Sequence, residues 1–118
     1  MVIFKNELGG IITIISWLAP TENTDGTAID YPLAYQLYIN DVATMVLPGT
    51  LNGERYEFAL ADVPAMQSPG NYTLTLTAFP EGVDLEQEPL RESGKSNALV
   101  VLTLSVTVPK EPADLSSE

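Results

Sequence analysis

The chain has 118 residues, sixteen acidic and five basic side chains, a formal net charge of −11, and neither cysteine nor histidine. This length predicts one domain with one core, and the lack of cysteine excludes disulfides, thiolate metal ligands and a cysteine nucleophile. The negative charge argues against nucleic acids and anionic membrane surfaces as partners. No apolar run approaches the ~18 residues of a membrane span.

Strands are predicted wherever apolar and polar residues alternate with period two. The stretch IITIISW, residues 11–17, favours a strand over the apolar core of a signal peptide, because cleavage after Ala19 would place Trp17 where a small residue is required. A short strand precedes it within residues 1–8. Further strands are predicted at residues 33–40, 43–47, 54–60, 72–79 and 97–109.

Turn residues separate these runs at the spacing of a sandwich or small barrel. They are Asn23 to Gly26, Pro48-Gly49, Asn52-Gly53, Ser68 to Gly70 and Pro80 to Gly82. Residues 80–96 lack alternation and predict a long exposed loop. The pattern therefore predicts an all-β, two-sheet antiparallel β-sandwich of about seven strands over residues 1–109, followed by a mobile acidic tail at residues 110–118.

The order of landmarks resembles a fibronectin type III domain, within the immunoglobulin-like superfamily. Trp17 ends an early strand, Tyr35 opens AYQLYI, and Tyr72 follows DVPAMQSPGN. The resemblance implies a core Trp on the second strand and a tyrosine-corner hydrogen bond from Tyr72. One departure is the connection AMQSPGN, which is longer than the family norm.

Acid–base catalysis would need carboxylates alone, because the chain has no imidazole and no thiol. We therefore expect no enzyme and no cofactor, and interpret the acidic loops as solvated. The same loops are the candidate binding loops for calcium or sugar, although neither matches the spaced ligand set of an EF-hand. Their candidate residues are Asn23, Asp25, Asp30, Glu81, Asp84, Glu86 and Glu88.

A candidate partner surface follows from strand parity. If Trp17 points inward, strict alternation leaves Ile12 and Ile14 outside, and the last strand leaves Leu99 and Val101 outside. Two such aliphatic pairs predict a patch that a protein partner or another copy covers. A β-bulge that reverses the parity is the competing interpretation.

Two functions are compatible with this sequence pattern. The first is a structural or interaction subunit of a larger assembly or homo-oligomer, such as a capsid decoration or tail protein of a bacteriophage virion. The second is a carbohydrate-binding or spacer module of a secreted or cell-surface protein. The opening Met and the lack of a signal peptide favour the first, and the fold class alone does not choose between them.

Overall fold

The computed structural model describes residues 1–48 and 50–117, and these residues form nine β-strands. The strands are β1 (Val2–Lys5), β2 (Ile11–Ile12), β3 (Ile14–Trp17), β4 (Leu33–Ile39), β5 (Val42–Leu47), β6 (Thr50–Asn52), β7 (Arg55–Ala59), β8 (Gly70–Pro80) and β9 (Leu99–Ser105). Three short 3-10 turns cover Leu60–Asp62, Pro64–Met66 and Pro89–Arg91. The predicted all-β class is confirmed.

The strands form two antiparallel sheets. The larger sheet has the order β2-β1-β9-β8-β4-β5, and the smaller sheet has the order β3-β7-β6. All the strand pairs in both sheets are antiparallel. The arrangement is that of a β-sandwich, whose core lies between the two sheets.

Tight hairpins explain two of the strand pairs. Asn40 and Asp41 join β4 to β5 with φ angles of +51° and +64°. A two-residue loop with positive φ at both positions is the type I′ geometry, which asparagine and aspartate tolerate. Gly53 takes φ +65° in the β6–β7 hairpin. The predicted turn at Asn52-Gly53 is thus confirmed, whereas Gly49 of the predicted Pro48-Gly49 turn lies outside the described residues.

The core combines an aromatic cluster with aliphatic side chains from both sheets. Trp17 of β3 meets the ring of Tyr35 edge-on at 5.2 Å and stacks on the ring of Tyr56 at 6.2 Å. Leu37 and Leu60 are completely buried beside this cluster. Burial raises the pKa of Tyr35, and the neighbouring Tyr56 adds to the increase. The sequence interpretation of Trp17 and Tyr35 as core residues is confirmed.

The tyrosine-corner hydrogen bond is present. Tyr72 donates its hydroxyl proton to the backbone oxygen of Ser68 at 2.6 Å. Gly70 lies between them with φ +159°, and a side chain at this position would approach the Tyr72 ring at 3.7 Å. The hydrogen bond ties the start of β8 to the preceding loop, despite the length of that loop.

The segment from β2 to β3 changes sheets, and this change corrects one prediction. Ile12 pairs with Phe4 of β1 in the larger sheet, whereas Ile14 already pairs with Ala59 of β7 in the smaller one. Between them the backbone oxygen of Thr13 accepts a hydrogen bond from the amide of Leu60 at 2.9 Å. Strict alternation is interrupted here, so the predicted outward position of Ile12 is wrong: its side chain packs against the core. Ile14 is 46% exposed, as predicted.

Strand β9 corrects a second prediction. Leu99 is 38% exposed, but Val101 is completely buried, so the predicted outward position of Val101 is wrong. Val101 lies opposite Tyr72, and the next inward residue, Thr103, donates its hydroxyl proton to the backbone oxygen of Met66 at 2.9 Å. Apolar residues occupy both faces of this strand, so its pattern does not determine which face is inward.

Candidate functional site

Strand β5 forms an open edge of the larger sheet. Its only strand partner among the described residues is β4. The strand has the sequence VATMVL, with no charge and no proline, and Val42 and Val46 are 65% and 49% exposed. A bulge beside Tyr38 shifts the register near the middle of the strand. Edge strands are usually protected from pairing by lysine, proline, inward charges or a bulge. Of these four features, β5 has the bulge alone.

A second open edge lies on β3. Among the described residues β3 pairs with β7 on one side and with no strand on the other. Between this free edge, the middle of β8 and the start of β9 lies a cleft of about 410 Å³, which we call the edge cleft. Its apolar lining includes Ile15, Trp17, Leu76 and Leu99. The cleft thus joins an unpaired strand edge to an opening between the sheets.

Among the described residues, Arg55 is the one charged residue that lines the edge cleft. It reaches across the outer face of β3, where its guanidinium donates to Ser16 Oγ at 3.0 Å and to the Ser16 backbone oxygen at 3.1 Å. A guanidinium has five N–H donors, so Arg55 can donate further hydrogen bonds to an anionic partner. Trp17 lines the same cleft, and its buried indole N–H meets no hydrogen-bond acceptor among the described residues.

The long connection, residues 81–98, folds back onto the outer face of the larger sheet. The hydroxyls of Tyr38 and Thr77 each donate to the Glu92 carboxylate at 2.5 Å. The amides of Ser93 and Ser96 donate to backbone oxygens of β8 at 2.8 Å. Residues 80–96 were predicted to form a long exposed loop, and most residues of the connection are exposed, but these hydrogen bonds attach it to β4 and β8.

This attachment buries side chains that alternation alone would leave in solvent. Thr77 and Phe79 share the outer face of β8 and are only 4% and 6% exposed. Lys95 lies 4.7 Å from the centre of the Tyr38 ring and pairs with Asp41 at 3.1 Å. The hydrogen bond to Glu92, with burial and the charge of Glu92 adding to it, raises the pKa of Tyr38.

The first candidate binding loop uses its polar side chains largely to stabilise itself. Asp25 accepts hydrogen bonds from the hydroxyl and the amide of Thr27 at 2.6 and 3.0 Å, which lower the pKa of the Asp25 carboxyl. Asn23 accepts a hydrogen bond from the Tyr31 hydroxyl at 2.8 Å. Asp30 is exposed. These contacts are typical of turn chemistry.

The second candidate loop divides its carboxylates between two places. Glu81, Asp84 and Glu86 line an open cleft of about 450 Å³ beside Phe79. Asp84 also accepts the amide of Glu86 at 2.9 Å, and Glu88 pairs with Arg91 at 3.5 Å. Within residues 1–48 and 50–117, no group of three or more Asp or Glu side chains is arranged to hold a metal ion.

The first candidate loop meets the long connection at a smaller cleft of about 220 Å³. One wall includes Asn23 and Tyr31, and the other includes Arg91 and Glu92. Asp25 and Asp30 are not among its lining residues. The structure therefore brings one predicted residue of the first loop next to the long connection and leaves the two aspartates apart from it.

Sequence reasoning missed Arg55 and Glu92. No local pattern distinguishes Glu92 from its acidic neighbours, but Phe79 carried a signal, because it shares the face of β8 that Thr73 and Thr77 occupy. A phenylalanine on an otherwise polar face indicates that another segment covers it. Arg55 had no such signal, since its role depends on a cross-strand neighbour.

No protein-family model, no curated protein and no solved structure matches the chain. None of the helical segments in the described part of the chain is long and apolar enough to cross a membrane.

Proposed function

We propose that the chain is a non-enzymatic structural or interaction subunit that docks on a larger protein assembly. The observation that carries this proposal is the β5 edge, an uncharged six-residue strand with two exposed valines on a chain with net charge −11. Unpaired backbone N–H and C=O groups beside apolar side chains are complementary to a strand of another protein. Its acidic surface limits unspecific association elsewhere.

The fibronectin type III-like class is part of the proposal. Strands β9-β8-β4-β5 and β3-β7 follow the order of the two sheets of such sandwiches, and the Tyr72 corner supports the same class. The pairing of β1 with β9 instead of β3, and the attached long connection, depart from it. A bacteriophage virion, with this chain as a decoration or tail-associated protein, is the assembly we propose, by analogy of fold class.

A carbohydrate-binding role is the second candidate, and the cleft between the first candidate loop and the long connection favours it. Tyr31 supplies an aromatic ring there, and Asn23 and Arg91 supply hydrogen-bonding groups. Its volume of about 220 Å³ suits a single sugar unit rather than a longer chain.

One pair of measurements separates the two functions. In the first measurement, virus particles are purified by density gradient from a culture in which the chain is expressed from its own gene, and mass spectrometry is used to search them for the chain. In the second, the purified protein is applied to a glycan array. The subunit function predicts the chain in the particles, and the sugar-binding function predicts array signals that Arg91→Ala abolishes. Absence from the particles together with a glycan signal would replace the first function by the second.

The contact strand is tested with Val46→Asp, which places a charge on the β5 edge. We expect this variant to lose particle binding, because burial of an unpaired carboxylate at an interface is costly. The matched control is Leu90→Asp, at a loop position that is 98% exposed. Unchanged binding by folded Val46→Asp would exclude β5 as the contact.

A further inference from the structure

The edge cleft differs in charge from the rest of this acidic protein. The two clefts beside the long connection are lined by acidic residues. A further cleft, beside Ile14 of β3, is lined by Glu57 and Asp62. Within residues 1–48 and 50–117, no acidic residue lines the edge cleft, whereas Arg55 does. Leu18 and Leu99 at its border are 59% and 38% exposed. A segment that combines an apolar side chain with a neighbouring carboxylate is complementary to this site.

The chain itself contains such a segment beyond β9. The amide of Val106 still bonds to the backbone oxygen of Met1 at 2.8 Å, but residues 107–117, here called the tail, belong to no strand or helix. Asp114 and Leu115 lie side by side in the tail, and Leu115 is 99% exposed. Asp114 has φ +58° in the free chain, so binding along a strand edge requires it to become extended, and the two side chains then point in opposite directions.

The tail begins at the opposite end of the sandwich from the edge cleft. Leu99, at the start of β9, lines the cleft, and the strand then runs to Ser105, about 20 Å away at the usual rise per residue. The molecule measures 75 × 29 × 26 Å, and its radius of gyration of 18.7 Å exceeds the value of about 13–14 Å typical of this length. The tail is the terminal segment that lies outside both sheets, and we attribute the elongation to it.

Two prolines favour an extended backbone in the tail. Pro109 and Pro112 fix their own backbone and restrict the preceding residues to extended conformations. The segment Ala113–Ser117 that follows contains no proline and can present backbone N–H groups to a strand edge. The tail is thus suited to reach a neighbouring molecule.

We propose that the tail of one copy binds the edge cleft of a second copy, with residues 113–117 extended along the free edge of β3. Leu115 then lies in the cleft, and Asp114 faces the guanidinium of Arg55 on the outer side of β3. Because tail and cleft are different surfaces at opposite ends, the contact is head-to-tail and builds rings or filaments. This contact deepens the proposed function, because a second copy of the chain becomes the partner. It rests on the proposed function only for its role in a larger assembly.

The test uses variants of the whole 118-residue chain and sedimentation velocity at several protein concentrations. Wild type is expected to form dimers and larger species as concentration rises. Leu115→Asp damages only the tail, and Arg55→Glu damages only the cleft, so each is expected to weaken association about tenfold or more. Leu8→Ser, which changes an equally exposed leucine outside both surfaces, is the matched control and should assemble like wild type.

Mixing the two damaged variants gives the decisive result. The intact tail of Arg55→Glu fits the intact cleft of Leu115→Asp, so the mixture is expected to form 1:1 dimers and nothing larger. The double change Arg55→Glu with Asp114→Arg restores opposite charges and is expected to recover assembly. Circular dichroism establishes whether each variant is folded. If Arg55→Glu does not fold, Arg55→Gln replaces it as the variant with a damaged cleft.

Several results would overturn the proposal. These are a wild type that stays monomeric, a folded Leu115→Asp that assembles normally, and a mixture that forms no dimer. A monomeric wild type in which Leu115→Asp changes the fluorescence of Trp17 would mean that the tail binds the cleft of its own chain. None of these results affects the search for the chain in virus particles, so the proposed function and this inference fail separately.

Discussion

Removal of the Glu92 side chain tests how the long connection is attached to the sheet. In Glu92→Ala the hydroxyls of Tyr38 and Thr77 lose the carboxylate that accepts them at 2.5 Å. A hydrogen bond to a charged group contributes about 1.5–3 kcal/mol, and a buried hydroxyl left without a partner costs about 1–3 kcal/mol. Thr77 is 4% exposed, but Glu92 is only half-buried, so we expect a loss of about 2–4 kcal/mol in the free energy of unfolding.

The assay is urea unfolding followed by the fluorescence of Trp17, the single tryptophan. Glu88→Ala serves as the control, because Glu88 forms an exposed ion pair with Arg91 in the same connection. Such pairs contribute about 0–1 kcal/mol. Hydrogen exchange should also accelerate at the amides of Ser93 and Ser96, which bond to β8. If Glu92→Ala and Glu88→Ala unfold at the same urea concentration, the connection is not held by Glu92.

Three further predictions concern the core, the tyrosine corner and alkaline pH. Val101→Ala is expected to cost about 1–3 kcal/mol of unfolding free energy and Leu99→Ala less than half as much, as measured in urea, because Val101 is completely buried and Leu99 is 38% exposed; equal losses or the reverse order would contradict the burial of Val101. Tyr72→Phe, which removes the hydrogen bond to Ser68, should cost about 1 kcal/mol and lower the thermal midpoint. Because the pKa of Tyr38 is raised on folding, its stabilising contribution is present at neutral pH and is lost as pH rises above about 10. Thermal unfolding across this range should show that loss in wild type and a smaller one in Tyr38→Phe.

Strands in which apolar and polar residues alternate, so that one face alone is apolar, were predicted well. Residues 33–40 and 54–60 correspond closely to β4 and β7, with Tyr35 and Leu37 buried as expected. The three-residue β6 was not predicted, because so short an edge strand carries no periodic signal. Strand β9 was located correctly but turned the wrong way, since both of its faces are largely apolar.

The candidate surfaces were less predictable than the strands. Ile14 and Leu99 are exposed as expected, but Ile14 borders the outer face of the smaller sheet, whereas Leu99 lines the edge cleft. They do not share a cleft with each other. Exposed side chains form a patch only when strand pairing brings them together. β3 pairs with β7 in the smaller sheet, and nothing in the residues of β3 themselves indicates this partner.

Composition and local pattern by themselves determined that this chain forms antiparallel strands around a tryptophan-containing core and carries a strong negative charge. These properties follow from backbone propensity and burial, which act over a few neighbouring residues. Only the tertiary structure decided that the chain changes sheets at Thr13, that Glu92 attaches the long connection to β4 and β8, and that Arg55 borders an unpaired edge. Each of these depends on contacts between residues far apart in the chain, whose partners are defined by sheet order and register rather than by local sequence.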